Sequence, residues 1–156
     1  METTIPSTTI YVDADACPVK NEIIRVGERH RLPVIMVSNA FLRLPRSPLV
    51  RLEVVSGGLD KADDWIAEHI GPKDVAITAD IPLAARCLER GARVLGPTGK
   101  PFDDETIGMA LSMRDLNAHL RDIGEMGGGN ASFQKKDRSQ FLNVLENTLQ
   151  AIKREG

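Results

Sequence analysis

Residues 10–18 read IYVDADACP, and this stretch decides the fold because an apolar run leads directly into two acidic residues. The residues IYV are typical of a buried strand, and Pro18 suits the first turn of a helix. Asp13 and Asp15 lie between the two, where a parallel strand would turn into its following helix. Ligands of open α/β sheets bind outside the carboxyl ends of the strands, so this turn is a candidate site.

Short apolar runs alternate with segments of helical period along the chain, a pattern that predicts a parallel sheet. We predict about five strands, at residues 9–13, 33–38, 50–55, 74–78 and 92–95. We predict helices at residues 18–31, 60–70, 81–90, about 105–120 and 139–154, with a loop at 96–107 and a Gly-rich linker at 126–138. The predicted fold class is therefore α/β, with three layers and a central, mostly parallel sheet flanked by helices.

The composition limits the classes of partner. The 156 residues carry a formal net charge of −2, so a nucleic-acid partner needs a local basic surface. Aromatic residues make up 4% of the chain, which makes base stacking an unfavourable expectation. The two cysteines lack CxxC spacing and no apolar run is long enough to cross a bilayer. We therefore expect a cytoplasmic protein with no zinc site and no membrane partner.

Two further strands also run into acidic residues. The stretch VVSGGLDKADDW places Asp60, Asp63 and Asp64 at a helix start after the third strand. The fourth strand leads into the triplet TAD at residues 78–80. Asp60 and Asp63 share a helical face, whereas Asp64 projects about 100° away from Asp63. We therefore favour Asp63 over Asp64 as the site residue.

Carboxylates from three strand ends should meet at one edge of the sheet. Repulsion among Asp13, Asp63 and Asp80 is unfavourable unless a cation compensates for it, and a hard divalent ion is the natural choice. With Mg²⁺ or Mn²⁺ held by carboxylates and water, the available chemistry is phosphoryl transfer. His30, His69 and His119 fall inside helical segments, where we expect structural roles.

Polar and basic residues flank these acids. A loop broken by prolines carries Arg43, Arg46 and Arg51, and spaced arginines suit a phosphodiester backbone. Lys135, Lys136 and Arg138 form a second basic cluster near the C-terminus. The side chains that we predict to contact substrate are Ser38, Asn39, Arg43, Lys20 and Lys61.

Five blocks in order, VDADACPVK, SGGLDKADDWI, TADIPLA, MRDL and FQKKDRSQF, together resemble the YaiI/YqxD-type family of bacterial proteins over about residues 9–150. That family is similar in its arrangement of acids to PIN-like nuclease domains, the metal-dependent RNases that include the NYN and FEN-like groups. The resemblance implies a PIN-like α/β domain over residues 1–125. Residues 126–156 would then form the linker and a C-terminal helix packed on the same domain.

The PIN-like pattern implies roles for individual acids. Asp13 would be the first-strand metal ligand, Asp63 the central acid with Asp60 near it, and Asp80 the acid of the T-x-D motif. Asp15 would be an accessory ligand or a group that positions water. The implied catalytic residues are thus Asp13, Asp15, Asp63 and Asp80, and the implied metal ligands are Asp13, Asp60, Asp63 and Asp80. The implied function is phosphodiester hydrolysis with Mg²⁺ or Mn²⁺ as cofactor and RNA as the expected substrate.

Two other functions fit the same residues. DADAC resembles the D-x-D-x-[TV] start of haloacid-dehalogenase-type phosphatases, in which the first aspartate attacks phosphorus and the second is an acid/base. In that function Ser38 would belong to the second motif, at a strand end. Lys61 would be the lysine of the phosphatase, and Asp80 would be one of its later acids. The third possibility is a non-catalytic module that keeps the acidic pocket for a metal or a nucleotide.

Overall fold

The computed structural model describes residues 8–109 and 133–155, which form one sheet with helices on both faces. The strands are β1 (Ile10–Asp13), β2 (Val34–Ser38), β3 (Val50–Val54), β4 (Val75–Ile77), β5 (Arg93–Leu95) and β6 (Pro101–Phe102). The helices are α1 (Lys20–His30), α2 (Leu59–His69), α3 (Ile81–Glu89) and α4 (Lys135–Glu155). A 3₁₀ turn covers Ala14–Ala16, and residues 104–109 are also helical.

The strand order is β3-β2-β1-β4-β5-β6, and every pair is parallel except β5 with β6. From β1 the chain continues to one side through β2 and β3, and then returns to the other side at β4. The order therefore reverses between β1 and β4, and ligands of such sheets bind at this reversal. Asp13, the last residue of β1, lies there.

The mostly parallel α/β class is confirmed, but the sheet has six strands rather than about five. The added strand, β6, pairs antiparallel with β5 inside the segment predicted as a loop. It has only two residues and begins with a proline, which is tolerated because β6 lies at the edge of the sheet. A strand of this length has no periodicity for the sequence pattern to reveal.

Alternating side chains along each strand divide the core into two layers. Ile10 and Val12 of β1 face the layer that contains α1 and α4, whereas Tyr11 faces the layer that contains α2 and α3. Both layers are built from aliphatic side chains, so the central strands are apolar on both faces. Polar groups of β1 and β4 can therefore collect only at the strand ends.

The C-terminal helix α4 begins at Lys135, four residues before the predicted start, and packs against α1 and the sheet. Phe141, Leu145 and Leu149 recur at helical spacing and are buried. Ile152 is buried as well, whereas Leu142 is only partly buried. The predicted linker up to residue 132 and the predicted helix beyond residue 109 lie outside the described residues.

The two cysteines and the helices can be compared with what the composition predicts. Cys17 and Cys87 are free thiols buried in the two different core layers. Within residues 8–109 and 133–155, no helix has the length and apolarity that a membrane span requires.

Candidate functional site

Thr78 connects two acidic residues at the reversal of strand order. It is the first residue after β4, and its hydroxyl donates a hydrogen bond to Asp13 Oδ2 at 2.8 Å. The same oxygen accepts the backbone N–H of Asp80 at 3.0 Å. One buried threonine side chain therefore orients the first acid and fixes the turn that carries the second.

Asp80 caps the N-terminus of α3. Its Oδ1 accepts the backbone N–H of Leu83 at 2.9 Å, which satisfies one of the unpaired donors of the first helical turn. Asp80 is therefore a helix cap as well as an acid at a strand end. The cap also fixes the direction of the side chain at the rim of the sheet.

A cleft of about 220 Å³ opens between these two acids. It is lined by Asp13, Cys17, Ile77, Thr78, Ala79, Asp80 and Pro97. Its walls are the ends of β1 and β4 and the start of the loop after β5, so the topology rather than one local motif creates it. The carboxylates give this cleft its chemical character.

The acids of the cleft disfavour one another's negative charge. Burial raises the pKa of Asp13, the hydrogen bond from Thr78 lowers it, and the charges of Asp80 and Asp15 raise it again. The hydrogen bond thus holds the Asp13 carboxylate in place, but the negative charge of Asp13 is only partly compensated. No Lys or Arg among the described residues forms a salt bridge with it.

Asp63, in the second turn of α2, faces the same acids from the other layer. Its pKa is raised to about 6, first by burial and then by the charges of Asp80, Asp13 and Asp60, while Arg86 lowers it. Arg86 is bound to Asp64 at 2.8 Å, so its charge is already shared with that neighbour. Asp63 is not among the residues that line the cleft, but its pKa responds to both cleft acids, whereas Asp64 is paired with Arg86.

Asp15 is hydrogen-bonded to the end of β2, whereas Asp13 is hydrogen-bonded to the residue after β4. The Oδ1 of Asp15 accepts the hydroxyl of Ser38 at 2.5 Å, and its Oδ2 accepts the backbone N–H of Asn39 at 3.0 Å. Asp15 therefore ties the turn after β1 to the end of β2. Ser38 and Asn39 reach the predicted edge, but Ser38 is fully buried. Its Oγ also lies 2.6 Å from the carbonyl oxygen of Ala40, so its single proton is shared between that oxygen and Asp15.

The remaining candidate residues lie around this edge in different settings. Lys20 donates to the carbonyl oxygens of Cys17 at 2.8 Å and Ala14 at 3.4 Å, so it closes the turn after β1 instead of pairing with an acid. Lys61 and Asp60 are exposed on the first turn of α2. Arg43 is exposed on the connection between β2 and β3.

The basic and histidine residues singled out from sequence are partly engaged in packing. Arg138 binds the buried Glu22 of α1 at 2.6 Å and its guanidinium lies 5.2 Å from the centre of the Phe133 ring. His30 contacts Glu146 of α4 at 2.9 Å, and the ring of His69 stacks on Trp65. These contacts fit structural roles for both histidines; His119 lies outside the described residues.

The carboxylates of the cleft could supply only some of the ligands of a divalent ion. Among the described residues, no three His, Cys, Asp or Glu side chains are arranged as a ready-made metal site. Mg²⁺, however, is usually held by one or two carboxylates together with waters and substrate phosphates. Asp13 and Asp80 line one cleft, and their negative charges add to burial in raising the pKa of Asp63. Two carboxylates in this setting fit that mode of binding.

Thr78 was not among the site residues predicted from the sequence. Its position two residues before Asp80, in the T-x-D triplet, is the signal that could have identified it. A Thr hydroxyl often accepts the N–H two residues further on, which leaves its own proton available for another acceptor. Its bond to Asp13, 65 residues away in sequence, depends on the pairing of β1 with β4.

Comparisons with known proteins identify relatives along almost the whole chain. The family described as "Uncharacterized BCR, YaiI/YqxD family" (DUF188) matches residues 11–151. A UPF0178 protein of Parvibaculum lavamentivorans is 58% identical over 147 residues, which cover 94% of this chain and 97% of that protein. UPF0178 proteins of Bradyrhizobium sp. and Rhodospirillum rubrum are 52% and 58% identical, covering 99% and 93% of this chain and 94% and 97% of those proteins.

Proposed function

The chain belongs to the YaiI/YqxD family, and from its acidic cleft we propose that it is a PIN-like, metal-dependent nuclease that hydrolyses phosphodiester bonds in RNA. One observation carries the proposal. Asp13 and Asp80 line a single cleft at the reversal of strand order and are joined by Thr78, and their charges add to burial in raising the pKa of Asp63. Such a cleft suits a divalent cation and the phosphate groups that accompany it.

Each acid has a distinct part in this proposal. Asp13 and Asp80 supply the carboxylate oxygens for Mg²⁺ or Mn²⁺, and Thr78 keeps Asp13 in one orientation. When bound, the ion neutralises phosphate oxygens and lowers the pKa of an attacking water. Asp63 is the third acid of the proposed site, and in the metal-free chain burial and the neighbouring acids raise its pKa to about 6.

The geometry around Asp15 favours a nuclease over a phosphatase of the haloacid-dehalogenase type. In that phosphatase, the second aspartate transfers protons and the serine after the second strand meets the phosphate. Here Asp15 is held by Ser38 and the backbone of Asn39, and the Ser38 side chain is fully buried. Both groups are occupied in joining β1 to β2, so the proposed nuclease needs neither of them at the phosphate.

A cleavage assay tests the proposal. Purified protein is incubated with end-labelled single-stranded RNA in Mg²⁺, in Mn²⁺ and in EDTA, and the products are separated by electrophoresis. We expect metal-dependent cleavage that Asp13→Asn and Asp80→Asn each reduce by at least about 100-fold, comparable to the loss of other charge-stabilising groups. Glu68→Gln, an exposed acid on α2, is the matched control and should retain activity.

The assay also separates the alternatives. Equal cleavage by the wild type and Asp13→Asn would assign the activity to a contaminating nuclease and would sink the proposal. Metal binding without any cleavage would identify a non-catalytic module. Release of phosphate from a monoester, with a phosphorylated Asp13 trapped on the chain, would identify the phosphatase.

A further inference from the structure

The connection between β2 and β3 presents an exposed aromatic side chain and two exposed arginines, and it begins at the same edge of the sheet as the cleft. Residues 39–49 read NAFLRLPRSPL and contain two arginines and no Asp or Glu, in a chain whose formal net charge is −2. The segment forms neither a helix nor a strand. It is therefore the kind of local basic surface that a nucleic-acid partner of this chain would require.

Alternating side chains of this connection have opposite environments. Leu42 and Leu44 are partly buried and pack against the core layer of α1. Phe41 is 78% exposed, and Arg43 is exposed as well. Residues two apart in an extended chain point to the same side, about 7 Å from one another. The leucines thus anchor the segment while Phe41 and Arg43 project outward.

The connection starts at the candidate site itself. Val37 of β2 is in register with Asp13, and the backbone N–H of Asn39 binds Asp15. Phe41 is four residues beyond Val37, so its Cα lies within roughly 15 Å of that strand end. A groove of about 310 Å³ continues from there and is lined by Phe41, Leu42, Leu44, Pro45, Arg46 and Val50, among others.

We propose that the outward side of this connection binds a single-stranded polynucleotide, with a base stacked on Phe41 and backbone phosphates at Arg43 and Arg46. The proposal rests on the proposed function for its class of ligand. An acidic cleft repels a polyanion, so a strand held at the cleft needs cationic contacts next to it. Every base has a face that can stack on an aromatic ring.

The low aromatic content of the chain does not conflict with this arrangement. A stacking contact needs one ring in the right place, and Phe41 has most of its surface available. Arg51 is left out of the proposal because its guanidinium is shared with Glu53 at 3.4 Å. Arg43 and Arg46 are the two exposed cations that follow Phe41 in this connection.

Binding in the absence of metal tests this proposal separately from cleavage. The Asp13→Asn protein in EDTA is titrated into fluorescein-labelled oligouridylate and oligodeoxyuridylate, and anisotropy is measured at several salt concentrations. Phe41→Ala should weaken binding by roughly tenfold, and Phe41→Trp should restore it. Arg43→Gln with Arg46→Gln should reduce the slope of log affinity against log salt by about 1.4, since each phosphate contact contributes about 0.7.

Matched controls use exposed side chains elsewhere. Val54→Ala and Arg154→Gln should leave the affinity and the salt slope unchanged. Preference for one of the two oligonucleotides identifies the sugar, and either preference supports the proposal when the Phe41 dependence holds. Far-ultraviolet circular dichroism confirms that each variant is folded, as expected for exposed positions.

Three results would overturn the proposal. The first is that the Asp13→Asn protein, with Phe41, Arg43 and Arg46 intact, binds neither oligonucleotide. The second is that Phe41→Ala leaves the affinity unchanged. The third is a shift from dimer to monomer in Phe41→Ala by sedimentation, which would assign the ring to a contact between two copies. A protein that binds but never cleaves refutes the proposed function alone, because this measurement involves no hydrolysis.

Discussion

Thr78 shows how a single uncharged side chain can organise an acidic site. Its hydroxyl donates to Asp13 and accepts from the backbone of Asp80, so the two acids keep a constant relation to each other. The side chain is almost fully buried, with 3% of its surface exposed. Loss of this hydroxyl would leave the partly buried N–H of Asp80 and the half-buried carboxylate of Asp13 without this partner.

Thr78→Val should therefore destabilise the protein by about 1–3 kcal/mol, the usual cost of an unsatisfied buried polar group. Thr78→Ser keeps the hydroxyl and should cost less. Urea unfolding monitored by circular dichroism measures both changes. Equal stability of Thr78→Val and the wild type would show that water replaces the hydroxyl at no cost.

The raised pKa of Asp63 predicts a pH-dependent stability in metal-free protein. Its pKa is about 6 in the folded chain and 3.8 in the ordinary unfolded state, so the folded chain binds more protons between pH 4 and pH 6. The contribution of Asp63 to stability thus falls as the pH rises through this window. Above pH 6 the charged group is a net cost to folding.

Asp63→Asn should consequently unfold at a higher temperature than the wild type at pH 7.5 in EDTA, and the difference should disappear near pH 3.5. Glu68→Gln on the same helix is the control, and its melting temperature should follow the wild type at both values. Thermal unfolding by calorimetry provides the measurement. A wild type that is the more stable protein at pH 7.5 would contradict the assigned shift.

The hairpin between β5 and β6 couples the edge of the sheet to α4. Gly96 and Gly99 close its turn, with the N–H of Gly99 on the carbonyl of Gly96 at 2.9 Å. Gly99 has a φ of +91°, and a Cβ there would lie 3.0 Å from the Cα of Phe141. The backbone of α4 therefore approaches the turn so closely that only glycine fits.

Gly99→Ala should destabilise the protein by about 2 kcal/mol or more, because it combines an unfavourable φ with a backbone clash. Gly108→Ala is the control, since nothing lies within 4 Å of a Cβ at that helical position. That change should be neutral or stabilising by up to about 1 kcal/mol. Urea unfolding of both variants decides whether the turn and α4 form one cooperative unit.

The elements that were predicted correctly are those with a strong local period. β1, β2 and β3 begin and end within one residue of the predicted bounds. β1 and β2 are runs of mostly buried residues, whereas β3 lies at the edge of the sheet and carries both partly buried and exposed side chains. β6 was missed because its two residues gain their pairing only from β5. The early start of α4 likewise reflects a tertiary contact, since Arg138 in its first turn binds Glu22 of α1.

At the level of the whole molecule, the strand order explains why acids from distant parts of the sequence meet. The placement of Asp13 and Asp80 at one edge follows from a rule about parallel sheets, so sequence could predict it. The contacts that distinguish Asp15 from Asp13 could not be predicted. They depend on which strand end each side chain faces after folding, as the Ser38 to Asp15 bond does across 23 residues.

A titration of Mn²⁺ tests the central claim, that the cleft between β1 and β4 holds a divalent ion. Free Mn²⁺ is followed by electron paramagnetic resonance at pH 7.5 in the wild type, Asp13→Asn, Asp80→Asn and the control Glu68→Gln. We expect the wild type and Glu68→Gln to bind Mn²⁺, and both cleft variants to lose at least about tenfold in affinity, or 1.4 kcal/mol. Unchanged Mn²⁺ affinity in Asp13→Asn and Asp80→Asn would contradict it.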